Sequence, residues 1–425
     1  MSARPSGYLE RAVDRELDDL LPHLPAISLE GPRGVGKTET ARQRAGTFLQ
    51  LDDLATRELV AAQGARLPTG PIPVVIDEWQ RLPEVWDAVR LAVDHDPSPG
   101  RFLLTGSAMP RTAPSHSGAG RIVPVRMRPM ALVERLDGEP TVSLGELLRG
   151  NQPSLEGQSD LTLEGYTAEV LKGGFPGMRH ESERAQRAAL DGYLDRLLDA
   201  DLKELGFFPR LPATLRRWLR AYAAATANTI SYEKVRDATS VGGLTQPSRS
   251  TARTYQDLLA RLWILDDLEA WTPSGSLLKR LTGAPKHHLA DPALAARVLG
   301  LDAGALLAGD GGTPREGSFL GALFESLATQ AVRVLAQCNE ARVAHLRTRG
   351  GEHEVDLVVI RGDQRVVAVE VKLGSSVTDG NVRHLRWLKN ELGPELIDAV
   401  VITTGTEAYR RQDGIGVVPL ALLGP

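Results

Sequence analysis

Gly31-Pro32-Arg33-Gly34-Val35-Gly36-Lys37-Thr38 stands directly behind the apolar run Pro25–Leu29 and ahead of a helical stretch from Lys37 to about Gln43. The spacing is G-x-x-x-x-G-K-T. Glycines at these positions let the backbone curl until several N–H groups face one point, which suits phosphate oxygens. In this reading Gly31, Pro32, Arg33, Gly34, Val35 and Gly36 form a nucleotide cradle, Lys37 neutralises β/γ-phosphate charge, and the Thr38 hydroxyl ligates Mg²⁺. The following helix turns its positive end toward the phosphates. The alternative is a glycine-rich turn that matches by accident. A strand before it and a helix after it argue against that.

A second stretch, Ile72-Pro73-Val74-Val75-Ile76-Asp77-Glu78, is an uncharged run ending in two acids. It suits a parallel strand buried on both faces. Asp77 is the candidate for the Mg²⁺ shell and Glu78 for polarising the attacking water, the positioning roles that phosphoryl transfer requires; a strand that simply ends in a solvated acidic turn is the alternative. Further strands are expected at 26–30, 47–51, 101–105 and 121–127, with helices between most of them and a leading helix over 1–22. Strand–helix alternation implies a parallel sheet covered on both faces. Thr105, in Thr105-Gly106-Ser107, is a candidate contact for the γ-phosphate or the water; a plain turn is the alternative. Pro110–Gly120 reads as a mobile loop. Arg121 behind it is a candidate finger, in cis or toward a neighbouring subunit, so a homo-oligomer stays open; a surface arginine is the competing reading.

The 425 residues are 42% hydrophobic and 24% charged, which suggests two or three globular domains. No apolar run approaches the ~18 residues of a membrane span and no leader opens the chain, so no membrane partner is expected. Cys338 is the single cysteine, which fits a reducing cytoplasm. A net charge of −4 means that any DNA contact is a local patch. Lysines number 8 against 42 arginines. A lysine in such a chain is expected where a compact, rotatable ammonium is needed, as at Lys37 and Lys372.

Residues 137–160 lose periodicity and read as a connector. Helical patterns return at 161–171, 184–205 and 212–227. A short helix (Ser231–Ala238), a turn (240–248), a longer helix (Ser250–Trp263) and extended Ile264–Trp271 follow in the order of a winged helix. Arg249, Arg253 and Arg261 are candidate DNA contacts. The alternative is a lid on the N-terminal domain, with Asp257, Asp266, Asp267 and Glu269 offsetting the basic residues. Gly-rich 303–317 is the clearest linker.

Beyond it a helix carries Glu325, and three strands carry Asp356, Glu370 and Lys372. Glu370 and Lys372 are two apart and share a face. An acidic pair binds Mg²⁺, with Asp356 and Glu370 as ligands, while a lysine beside it orients water. A charged strand edge and a fold without cleavage are the alternatives. His287, His288, His353 and His384 show no ligand spacing and read as surface or supporting residues.

The pattern D-x₁₃-E-x-K, with Glu325 as candidate helix glutamate, resembles PD-(D/E)xK nucleases of the restriction-endonuclease-like fold, although Val355 stands where proline is usual. The whole chain resembles a prokaryotic family of AAA-like ATPases with a C-terminal domain of unknown function. The matching motifs are the loop at 31–38, Ile-Asp-Glu-Trp-Gln at 76–80, Leu-Thr-Gly-Ser at 104–107, Gly-Gly-Phe-Pro at 173–176, and Glu354-Val-Asp356 with Glu370-Val-Lys372. The expected architecture is α/β: a P-loop NTPase parallel sheet (1–136), a helical and winged-helix-like middle (137–302), the linker, and a restriction-endonuclease-like α/β domain (318–425). ATP rather than GTP follows from the resemblance alone. The implied function is Mg²⁺-dependent ATP binding and hydrolysis coupled to a domain that cleaves DNA or other nucleic acid, with Glu78, Glu325, Asp356, Glu370 and Lys372 as catalytic candidates. The alternative is an ATP-driven switch or DNA-binding regulator whose nuclease-like domain does not cleave.

Overall fold

The computed structural model describes residues 7–62, 70–107, 118–180, 182–208, 211–240, 246–271, 283–308 and 319–425. Its first sheet contains β1 (Ala26–Glu30), β2 (Thr47–Gln50), β3 (Val74–Asp77), β4 (Phe102–Gly106) and β5 (Val123–Arg126), all parallel, in the order β2-β3-β4-β1-β5. The central strands β3 and β4 are buried along their whole length. β1 lies between β4 and β5, so the glycine-rich loop leaves the sheet at its carboxyl edge, where open α/β sheets bind ligands. The leading helix covers only Ala12–Leu20. Asp14 accepts a hydrogen bond from the Arg11 N–H and starts the helix there, leaving Leu9 exposed.

In the middle region the expected helix over 184–205 is broken in register. The helix Glu183–Arg196 passes into a π-helical turn, Leu197–Asp201, before Leu202–Glu204. The widened turn buries Leu197, Leu198 and Asp201 together. After the helices Tyr232–Asp237 and Arg249–Arg261, the chain returns in two antiparallel bridges, Leu265↔Leu289 and Leu268↔Lys286. Most of the expected 240–248 turn lies outside the described residues, as does most of the 110–120 loop.

The second sheet holds β7 (Arg342–Arg347), β8 (Glu354–Ile360), β9 (Val366–Lys372), β10 (Leu396–Thr403), β11 (Tyr409–Arg410) and β12 (Gly416–Pro419), in the order β11-β12-β10-β9-β8-β7. Residues of alternate parity along β8 and β9 face opposite sides. Leu357, Val359, Val367 and Val369 join the main core with the long helix Phe319–Cys338, whereas Val358, Ile360, Val366 and Ala368 pack with Leu385 and Leu388 of the helix Arg383–Leu392.

Two expectations need correction. Residues 137–160 are more than a connector. They carry β6 (Val142–Ser143), which pairs with β13 (Leu423–Gly424), and the helix Leu144–Arg149 packed against β9 and β10. These apolar stretches are too short to display a period. The linker read over 303–317 begins as the helix Ala303–Ala308, with Leu306 buried; 309–318 lie outside the described residues.

One apolar core runs from Val13 to Leu423 through all three regions. The Phe319–Cys338 helix is its axis, touching the first helix, the middle helices and the second sheet. By length and composition this 20-residue helix is apolar enough to cross a membrane, contrary to the sequence expectation, but 72% of its most apolar window is buried in the protein.

Candidate functional sites

The phosphate loop depends on its glycines. Gly36 has φ +102°, and a Cβ on Gly31 would lie 2.1 Å from the Met127 carbonyl oxygen. Lys37 is buried, and its ammonium donates to the carbonyls of Gly31 (2.9 Å) and Pro32 (2.7 Å). Burial pushes its pKa down to about 8, against the pull of Glu78 and Asp77.

At the end of β3, Asp77 Oδ1 accepts hydrogen bonds from Thr38 (2.8 Å) and Thr105 (2.5 Å). Burial raises the Asp77 pKa, with both hydroxyls opposing. Glu78 follows at φ +55°, a left-handed conformation uncommon for a residue with a Cβ and frequent at functional sites. Its N–H donates to Thr105 Oγ1 (3.2 Å), and its carboxylate accepts from Ser107 (3.0 Å) and the Gln80 amide. The Thr38 hydroxyl and the Asp77 carboxylate converge beside the loop, a donor set that fits a divalent ion next to bound phosphates.

Three sequence readings change here. Thr105 is fully buried and holds Asp77 and Glu78 in position through hydrogen bonds. Arg121 precedes β5, whose Val123 is level with Ile27 and Arg126 with Glu30, so it lies at the opposite edge of the sheet from the loop. Arg121 sits in the turn before β5 (Val123–Arg126), and it pairs with Asp94 at 2.8 Å. This placement and the pairing with Asp94 favour the surface-arginine reading over a finger acting in cis. The Arg33 side chain pairs with Asp201 (2.5 Å) and Glu204 (2.8 Å), and Glu204 also meets Arg81 (3.4 Å). Sequence reasoning missed Ser107 and Gln80 as supports of Glu78; their position just after two strand ends was the available signal.

Of the acids expected to offset the basic residues, Asp266 is instead structural. Asp266 is buried within ion-pair distance (2.9 Å each) of Arg126 and Arg128 from the first domain and Arg333 from the long helix. Burial opposes its charge, yet the three guanidiniums hold its carboxyl far below the usual range.

In the second sheet Asp356, Glu370, Lys372 and Glu325 do come together. Lys372 Nζ is 2.8 Å from Glu370 Oε2 and 3.8 Å from Asp356 Oδ2. Asp356 Oδ2 also accepts the Val371 N–H (2.9 Å). The unanticipated member is Lys286. Its ammonium, 1% exposed, lies 2.8 Å from Glu325, 2.9 Å from Asp356 and 3.1 Å from Glu354. Burial disfavours that charge, but the three carboxylates outweigh it and raise the Lys286 pKa well above normal. Burial raises Glu325 to about 7, with Lys286 opposing. Burial, then the charge of Asp356, also raises Glu370. Lysines thus serve both acids of the expected metal pair, Asp356 and Glu370, and among the described residues no group of three or more His, Cys, Asp or Glu is arranged to hold an ion. A cavity of about 530 Å³ opens beside Glu325, Asp356 and Lys372, with Arg383 and His384 in its wall.

His287 and His288 are buried, not at the surface. His287 contacts Asp267 and the Ile230 carbonyl, and His288 lies 3.2 Å from the Ser326 hydroxyl. Burial, then the charge of Lys286, pushes His288 down to about 3.

Residues 23–136 match a family described as an AAA domain, in keeping with the phosphate loop and parallel sheet. Residues 163–305 and 320–423 match two domains of unknown function, DUF8612 and DUF4143. Uncharacterized proteins of Mycobacterium tuberculosis and Mycobacterium bovis are each 29% identical over 285 residues, 65% of this chain and 57% of their own length. The chain thus spans little more than half of these curated relatives. Among solved structures, a Walker-type ATPase of Pyrococcus abyssi is 17% identical with a TM-score of 0.41, covering 70% of this chain and 97% of its own. The Aeropyrum pernix ORC2 protein is 16% identical with a TM-score of 0.29, covering 68% and 90%.

Proposed function

We propose that the chain is a Mg²⁺-dependent ATP hydrolase whose N-terminal domain acts on the C-terminal, nuclease-like domain. The hydrogen-bonded chain Thr38–Asp77–Thr105–Glu78–Ser107 carries this reading. It gives two adjacent acids different partners and therefore different tasks. Lys37 exchanges two backbone carbonyls for phosphate oxygens. Asp77 and Thr38 would hold Mg²⁺, which neutralises phosphate charge when bound. Glu78, steadied by Ser107 and Gln80, orients the attacking water and receives its proton. The test is ATP turnover by the full chain. Lys37→Ala should lose nucleotide binding. Glu78→Gln should still bind ATP but turn over at least ~100-fold more slowly, the scale of a lost general base. Turnover at the wild-type rate in Glu78→Gln would sink the assignment.

For the C-terminal domain, cleavage by Asp356, Glu370 and Lys372 and a non-cleaving switch or DNA-binding regulator are separate readings. The ammonium of Lys286 among the carboxylates favours the switch. Exposed Arg249, Arg253 and Arg261 on one helix, in winged-helix order, support contact with DNA. Plasmid and single-stranded substrates with Mg²⁺ or Mn²⁺, with and without ATP, separate the two. Nicking lost in Lys372→Ala would favour the nuclease; ATP turnover without nicking would favour the switch.

A further inference from the structure

The acidic pocket of the second sheet contains four carboxylates, and its geometry disagrees with a metal centre at one point. Asp356 Oδ1 and Glu325 Oε1 both meet the Lys286 ammonium, at 2.9 and 2.8 Å. That is the point where an ion bridging these two acids would sit. The other oxygen of Asp356 is taken by the Val371 N–H. Glu370, 2% exposed, gives one oxygen to Lys372, and its Oε1 has no hydrogen-bond partner among the described residues. The pocket is thus built for more positive charge than one strand lysine supplies, and an orphaned buried oxygen remains in it.

The lysine that fills the need is held firmly. Lys286 and Leu268 exchange two backbone hydrogen bonds of 2.9 Å, so the side chain enters from an antiparallel bridge and not from a loose loop. An ammonium and a divalent ion at the same two oxygens repel each other and compete for the same lone pairs. Lysine is also scarce here, which fits retention of a compact ammonium at this position.

We propose that Lys286 is an internal cation standing in for a metal ion: while its ammonium bridges Asp356 and Glu325, the pocket takes no divalent cation, and removing it creates a site for one. This goes beyond the ATPase reading and does not depend on it.

The test is Mn²⁺ binding followed by electron paramagnetic resonance on the full chain without nucleotide. Lys286→Met should bind one more Mn²⁺ per chain than wild type. Adding Asp356→Asn should abolish the gain. A Lys286→Met protein that is folded by circular dichroism yet gains no ion overturns the proposal. If Lys286→Met does not fold, Asp356→Asn and Glu325→Gln in the otherwise wild-type chain decide: unchanged Mn²⁺ binding is expected, and loss of a bound ion in either overturns it.

Discussion

Lys37 is a buried ammonium whose pKa is lowered to about 8, first by burial. A lowered lysine pKa means that charge is lost as pH rises through that value. ATP affinity should therefore hold below pH 8 and weaken above it, by up to about tenfold per pH unit while only the bound form keeps the proton. Titrating a fluorescent ATP analogue between pH 7 and 9.5 checks this; a flat profile counts against charge-based phosphate binding. At this scale the phosphate loop was legible because its function resides in contiguous backbone. Lys286 was not, because its partners Glu325 and Asp356 lie 39 and 70 residues away. The scarcity of lysine pointed to it only in general terms. The two readings of Arg121 stayed open because its neighbourhood along the chain says nothing about which end of a strand it occupies.

Elements were legible where they were long or bounded by strong signals, and less so where packing alone holds them. The five parallel strands fall close to their expected runs, since uncharged stretches between helices leave few other solutions. The π turn at Leu197–Asp201 and the β6–β13 pairing have no local signature; each exists because a distant surface receives it. Gly-Gly-Phe-Pro at 173–176 is intermediate, recognisable as a motif but not as a contact. Its Gly174 N–H donates to Asp291 (2.7 Å), and a Cβ there would lie 2.5 Å from the Met130 carbonyl oxygen and 2.7 Å from its nitrogen. Since backbone atoms cannot rotate away, Gly174→Ala should destabilise the protein by about 1–3 kcal/mol. Urea denaturation would measure it, and a midpoint equal to wild type would refute the close approach.

At the scale of the molecule, three sequence-level modules share one continuous core, and Asp266 ties them electrostatically. Replacing it with asparagine leaves three arginines facing a neutral amide, two of them largely buried. Breaking a buried ion pair costs about 3–5 kcal/mol, so Asp266→Asn should lower the melting temperature by several degrees. The wild type should unfold in one calorimetric transition; separate transitions would show that the common core does not couple the regions. Module order was legible from composition and motifs. The shared interior was not, because the apolar residues that join modules look the same in sequence as those that fill each one.

The pairing of Arg33 with Asp201 and Glu204 makes the helical region a tethered competitor. Two carboxylates on the same chain present negative charge to a cradle arginine at an effective concentration that free nucleotide has to match before it can recruit that side chain. Under the proposed ATP-binding reading, affinity would be set partly by an anion the protein supplies itself, and weakening that anion in Asp201→Asn should tighten nucleotide binding by a few-fold, read by the same fluorescent titration. The carboxylates would be displaced from Arg33 in proportion to nucleotide occupancy, so that phosphate binding and loss of this ion pair become one exchange reaction.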